Sequence, residues 1–230
     1  MTMPCENRSG RRLQLADAGA IQVQRLLYFA CYVYSPRGHG EISEGSRLLR
    51  ARLKAGDTRW LPKYAMRVRQ VACDDKLLSG LFDRQVILVP VPKCTATVPE
   101  DTWVAGQLAI ALRNAGLAGA VWMGLRRVAA VRKSATARCH ERPTVREHFN
   151  SMIVDRSLVA PNRIVLVDDV ITKGRTLLAS AMRLREVFPG AEIQAFALVR
   201  TMGLISDVDQ LLAPCRGEIA WVGEDAQRSP

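Results

Sequence analysis

The sequence has no CxxC pair. Its six cysteines, Cys5, Cys31, Cys73, Cys94, Cys139 and Cys215, stand far apart. A zinc ribbon needs closely spaced thiolates, so a cysteine-based structural metal site is not expected; free thiols in a reducing cytoplasm are. No GxxxxGK[ST] segment occurs, which excludes a P-loop nucleotide hydrolase. No apolar run reaches the roughly 18 to 20 residues that span a bilayer. The most apolar early segment, Leu26 to Tyr34, is short and bracketed by Arg25 and Arg37. It follows a polar start without a small-residue cleavage site, so a signal peptide is not expected either. Repeats and low-complexity tracts are absent. Acidic residues are scarce: 22 against 33 Lys and Arg, for a net charge of +11. That balance favours anionic partners such as nucleotides, polyphosphates or nucleic acid, although basic residues also serve solubility alone.

What is present suits a globular protein. The 230 residues are 48% hydrophobic, enough for one large domain or a core with an appendage. Gln22 to Tyr34 alternates and ends in aromatics, which predicts a strand or buried hairpin. Glu41 to Ala55 reads as an amphipathic helix ended by Gly56, and Leu61 to Ala72 as another. Their Arg47, Arg50, Arg52, Lys54, Lys63, Arg67 and Arg69 form a solvated face or, less simply, a nucleic-acid surface. From Arg84 strands and helices alternate. Strands are expected at Val86 to Pro92, Gly119 to Met123, Arg163 to Asp169, Glu192 to Val199 and Gly217 to Val222. Helices are expected at Asp101 to Ala115 and Thr176 to Val187. Such alternation implies an α/β fold, a parallel sheet with helices on both faces. Arg126 to Asn150 is polar, basic and long for a connection, as lids and binding loops are, though an exposed helix pair would look the same.

The most informative stretch is RIVLVDDVITKGRTLLAS, Arg163 to Ser180. Its apolar run does not alternate, as in a strand covered on both faces. Ligands of open α/β sheets sit at the carboxyl ends of strands, where Asp168 and Asp169 fall. Adjacent carboxylates accept hydrogen bonds from a vicinal diol or help hold hydrated Mg²⁺. Gly174 permits positive φ, and N–H groups around Thr172 to Thr176 can face one concavity at the next helix's start. Thr172 and Thr176 add hydroxyls; Lys173 and Arg175 add charge. Diol acceptors beside a phosphate cradle describe a ribose 5-phosphate. A receiver domain also ends its first strand in acids, but too little chain follows Asp169 for it. An incidental strand, turn and N-cap remains the bland alternative.

LVDDVITKGRT resembles the signature of the type I phosphoribosyltransferases: apolar residues, two acids, two variable residues, TxGxT. The resemblance covers roughly Arg84 to Thr201 and is nearest to ComF-like and amidophosphoribosyltransferase-like orphan members. LVPVPK (Leu88 to Lys93) resembles their pyrophosphate-contacting loop. RPTVREHFNSMIV (Arg142 to Val154) occupies the place of their arginine-rich segment. The chain departs from ComF-like proteins in lacking the N-terminal zinc module and the arginine-rich stretch after the PVP strand. Lys173 stands where the signature usually has threonine.

The resemblance implies a Rossmann-like core at 83–202, an N-terminal hood at 1–82 and a C-terminal extension at 203–230. It implies a substrate, 5-phosphoribosyl 1-pyrophosphate (PRPP), bound with Mg²⁺ at Asp168 and Asp169, directly or through water. The phosphoribosyl group would pass to a nitrogen nucleophile as pyrophosphate leaves. Catalytic candidates are Asp168, Asp169 and Lys93; phosphate-binding candidates are Thr172, Lys173, Gly174, Arg175 and Thr176. Arg132, Lys133 and Ser134 are candidates for the tip of a closing loop, with Arg142 and Arg146 as anchors. His140 and His148 lie in the same stretch but are expected to be structural. Cytoplasmic location and a homodimer fit the resemblance. A PRPP-sensing or nucleic-acid-associated protein without catalysis, or a defence-type effector, is the alternative.

Overall fold

The computed structural model describes residues 25–93, 102–131, 142–156, 160–203, 207–223 and 225–230. The chain forms β1 (Arg25–Tyr34), α1 (Glu41–Lys54), α2 (Leu61–Asp74), β2 (Asp83–Pro90), α3 (Val104–Asn114) and β3 (Ala118–Val121). An excursion of β4 (Leu125–Arg127), α4 (Val145–Asn150) and β5 (Met152–Val154) follows. Then come β6 (Arg163–Ile171), α5 (Arg175–Val187), β7 (Glu192–Thr201), β8 (Leu212–Val222) and β9 (Asp225–Ser229).

Seven strands make one sheet in the order β3-β2-β6-β7-β1-β8-β9, with β4 and β5 as a separate antiparallel pair. The first five are parallel; β8 pairs antiparallel with β1, and β9 antiparallel with β8. The fold is thus α/β with a mostly parallel central sheet flanked by helices. Alternate residues of the central strands feed two cores. Leu26, Tyr28, Ile164, Leu166, Ala195 and Ala197 pack with Leu177, Leu178 and Met182 of α5. Phe29, Val165, Val167, Phe196 and Leu198 pack with Leu49 of α1, Val68 of α2 and Leu108 of α3. Double-sided burial is why these strands read as apolar without alternation.

The sequence did not reveal how the ends join this sheet. β1 comes from the expected hood, yet it hydrogen-bonds between β7 and β8. Boundaries at 82/83 and 202/203 therefore cut through one continuous sheet. The strand expected at Gly217 begins at Leu212, and β9 follows it without a strand-like apolar pattern. Strands at the two ends of the long basic stretch, β4 and β5, pair with each other, and α4 begins with a capping box between Thr144 and Glu147.

The topology places a crevice. From β2 the chain steps through α3 outward to β3, then returns to β6 on the other side of β2 and steps through α5 to β7. Adjacent strands leading away in opposite directions leave a gap between their connections at the carboxyl edge. Phe196 sits in the middle of this frame, fully buried and edge-on to Phe82 at 5.3 Å. Phe196→Ala should cost about 3–5 kcal/mol by leaving a cavity no neighbour can fill. Urea unfolding would measure it.

Candidate functional site

Asp168 and Asp169 stand at the carboxyl end of β6, beside the end of β2, where Val91 N–H donates to the Val167 carbonyl at 2.9 Å. Local bonds fix their rotamers: Asp169 N–H donates to Asp168 Oδ1 and Val170 N–H to Asp169 Oδ1, both at 2.9 Å. The second oxygen of each carboxylate is not used in these bonds. Burial raises the pKa of Asp168 well above the ordinary value, and the charge of Asp169 adds to it; Arg127 pulls the other way. Asp168 holds a proton more readily than a lone carboxylate, and hydroxyl donors or a cation would favour its release.

The strand runs on to Ile171 and the chain turns into α5 within three residues. Gly174 is the N-cap of α5 at φ +83°, in the left-handed region. A side chain is excluded there twice over, since a Cβ would lie 2.6 Å from Ile219 of β8. The first N–H groups of α5 have no partner within the helix and face outward from its positive end. Thr172 Oγ1 lies 3.3 Å from Thr201 Oγ1 at the end of β7. The two cations of the turn are already engaged. Lys173 Nζ donates to Asp225 Oδ2 at 3.0 Å, and Arg175 makes a two-pronged pair with the same carboxylate. The Arg175 bond is the main cause holding the Asp225 carboxyl far below the usual range. Arg175 also donates to the carbonyls of Arg142 and Pro143, at 3.3 and 3.2 Å. What the turn can offer an anion is therefore chiefly its backbone N–H groups, not two unengaged side-chain charges.

Lys93 lies just past β2. Its Nζ donates to Thr102 Oγ1 at 3.2 Å, and its carbonyl accepts from Arg127 Nε at 2.5 Å. Arg127 is 7% exposed and also binds Ser151 Oγ and, at 3.0 Å, His148 Nδ1. A guanidinium only donates, so His148 Nδ1 must accept and the ring proton sits on Nε2. That nitrogen lies 3.5 Å from Thr176 Oγ1. Burial, then the charges of Arg127 and Arg175, lower the His148 pKa to about 3, so the ring is neutral. A neutral Nε2–H pointing at Thr176 Oγ1 leaves the threonine's own proton for another acceptor. One buried arginine thereby ties the loop after β2 to the first turn of α5.

Asp168, Asp169, Thr172 to Thr176 and Lys93 thus lie around one edge. Arg142 lies beside Arg175, and its Nε is buried without a hydrogen-bond partner. Arg146 is exposed on α4 and enters none of these bonds. Arg132, Lys133, Ser134 and His140 lie outside the described residues. Sequence reasoning missed Arg127, His148 and Asp225. Arg127 was one of many basic residues in its stretch, and a lone histidine carries no motif. Asp225 lies in a segment with no pattern. Away from the edge, Trp60 is exposed with the Arg52 guanidinium 4.7 Å and Lys63 5.8 Å from its ring.

No family model matches the chain, and no curated protein matches it. Among solved structures, a hypoxanthine phosphoribosyl transferase from Trypanosoma cruzi is similar at a TM-score of 0.34 and 13% identity, over 66% of this chain and 72% of that one. The likeness is slight, and the nearer placement beside ComF-like proteins gains nothing from it.

Two outcomes follow from this geometry. Gly174→Ala should lose about 1–3 kcal/mol from the left-handed backbone and the Ile219 clash, and Ile219→Ala in the same chain should restore the clash part. Denaturant melts of the single and double variants would show it. His148 stays neutral in the fold but titrates near pH 6.5 once unfolded, so its contribution is present above that pH. It is lost as pH falls toward 3, at up to ~1.4 kcal/mol per pH unit. Asp225 adds to acid loss only below about pH 4, and the raised Asp168 opposes it. The loss of stability on going from pH 6.5 to 4.5 should disappear in His148→Gln, leaving only the opposite-signed contribution of Asp168.

Proposed function

We propose that the chain is a phosphoribosyltransferase that takes PRPP and passes the phosphoribosyl group to a nitrogen acceptor with release of pyrophosphate. One observation carries this: two adjacent carboxylates and a positive-φ glycine turn at a helix start share the switch point of a parallel sheet. Carboxylates suit the ribose 2- and 3-hydroxyls, which are donors, and the turn's N–H groups suit the 5-phosphate. The fixed separation between strand end and helix start selects a sugar phosphate over either group alone.

In this reaction the C1–O bond to pyrophosphate breaks as the acceptor nitrogen bonds to C1, through a transition state with positive charge on the sugar. Positioning and electrostatics supply most of the rate. Asp168 and Asp169 hold the diol and place negative charge near the ring. Lys93, anchored through its carbonyl by Arg127, lies on the side of β2 where the leaving group would be. Thr176, its oxygen already accepting from His148, donates its proton to the 5-phosphate. Arg142 adds an unused buried donor beside the turn. Mg²⁺ fits as an ion shared with substrate, because hydrated Mg²⁺ takes one or two carboxylates and fills its remaining positions with phosphate oxygens and water. Among the described residues there is no group of three or more acidic, histidine or cysteine ligands that would hold a metal alone. Asp168 and Asp169 are the residues that would meet the ion, which would neutralise the pyrophosphate.

A PRPP-sensing, nucleic-acid-associated role without catalysis is favoured only by the exposed basic face around Trp60. It would show as steeply salt-dependent nucleic-acid binding.

Asp168→Asn with Asp169→Asn should abolish PRPP binding in calorimetry with Mg²⁺ while the thermal melt stays cooperative. Wild-type protein given PRPP and a panel of bases and amines should release pyrophosphate. Undiminished affinity in the double variant would misplace the site, and absence of turnover with every acceptor would remove the transferase activity.

A further inference from the structure

Beyond Asp168 and Asp169, on the side away from Lys93, three buried donors converge with nothing to bind. Tyr28 is 0% exposed, and its hydroxyl has no nitrogen or oxygen partner; only the thiol of Cys215, a weak hydrogen-bonding group, lies near it. Arg200 Nε and Arg228 Nη1 are likewise buried and without a partner. They belong to three strands. Tyr28 lies in β1, one pleat from Ala30 in the row that crosses Asp168 through Ala197. Arg200 is opposite Ile171 in β6 and Val33 in β1. Arg228 sits on β9, opposite the Ile219 that supports Gly174. Its guanidinium is 5.7 Å from the Tyr28 ring centroid, and its Nη2 donates to the Thr201 carbonyl at 2.6 Å. Arg200 acts electrostatically on the same phenol. Thr201 in turn reaches Thr172 of the turn. The cluster is therefore contiguous with the proposed ribose phosphate site.

Its charge is one-sided. Among the described residues no carboxylate pairs with Arg200 or Arg228; Asp225, on the same strand as Arg228, is committed to Lys173 and Arg175. Arg200 Nε, Arg228 Nη1 and the Tyr28 hydroxyl are left as buried donors whose desolvation no strong acceptor offsets. An oxyanion would meet all three donors.

We propose that Tyr28, Arg200 and Arg228 form an anion subsite for a carboxylate or phosphate group carried by the acceptor. This rests on the phosphoribosyltransferase assignment for the identity of its neighbour. The edge then has an order: leaving pyrophosphate toward β2, ribose at β6, and the acceptor's anionic end toward β7 and β9.

The test uses the full chain saturated with PRPP and Mg²⁺, and ligand pairs differing only in charge. Pyridine-3-carboxylate is titrated against pyridine-3-carboxamide, imidazole-4-carboxylate against its carboxamide, and an aromatic amine monophosphate against the free alcohol. Inorganic phosphate and acetate are titrated as minimal anions. The anionic member of at least one pair should bind about tenfold or more tightly than its neutral twin. Arg200→Gln and Arg228→Gln should each remove about tenfold or more of that preference, Tyr28→Phe a smaller part, and Arg228→Lys should restore only part of what Arg228→Gln loses, since it keeps the charge but not the fork. Which pair discriminates separates carboxylate from phosphate. Equal affinity within every pair, or no anion bound at all, overturns the proposal. So does loss of PRPP affinity in Arg200→Gln, which would give the cluster to PRPP itself. Should wild-type protein fail to bind PRPP, the phosphoribosyltransferase assignment falls. The subsite is then judged on inorganic phosphate and acetate alone, with the same three variants.

Discussion

Everything at the carboxyl edge depends on how β6 becomes α5. A strand buried on both faces from Ile164 to Val167 must end, reverse and begin a helix, the last step within three residues, and Gly174 makes this possible by taking a backbone conformation that other residues adopt only at a cost. Ile219 packs against the space where a side chain would be. The same reversal sets two carboxylates at the strand's end and outward N–H groups at the helix's start. Chemical opposites are brought within a few residues of one another by a steric constraint, not by attraction between them.

A second support works from inside. Arg127 spends its guanidinium on a backbone carbonyl, a serine hydroxyl and an imidazole, and so couples three segments far apart in sequence. Because it can only donate, it dictates the tautomer of His148, which dictates how the Thr176 hydroxyl is used. Hydrogen-bond direction is transmitted over two residues without any group changing charge. A buried lysine would offer neither the planar fork nor the three separate directions.

The sheet's centre was legible because double-sided burial writes itself as unbroken apolar runs, and β2, β6 and β7 fall where those runs predict. The acids and the glycine turn were legible because each requirement narrows the residue type. The rest depended on partners distant in sequence. β1 resembles any strand, and nothing within it tells that it will lie between β7 and β8. Asp225 became part of the site through a hairpin that carries no turn motif strong enough to announce it. Lys173 and Arg175 were rightly seen as basic and in the turn, but their pairing with Asp225 changes what those charges do. Arg127 and His148 were visible only as members of a basic stretch, since burial, not identity, gives them their part.

The shared carboxylate of Asp225 has a consequence for selectivity. Lys173 and Arg175 bring two positive charges to the turn, and Asp225 removes one, so the trio carries a single positive charge. A doubly cationic loop on a chain of net charge +11 would concentrate any small anion of the medium. With the charge halved in advance, net charge alone would hold a stray phosphate or sulfate less well, and at the proposed site a ligand's oxygens would have to match the N–H directions. The β8–β9 hairpin would thus act as a filter against the protein's own electrostatics.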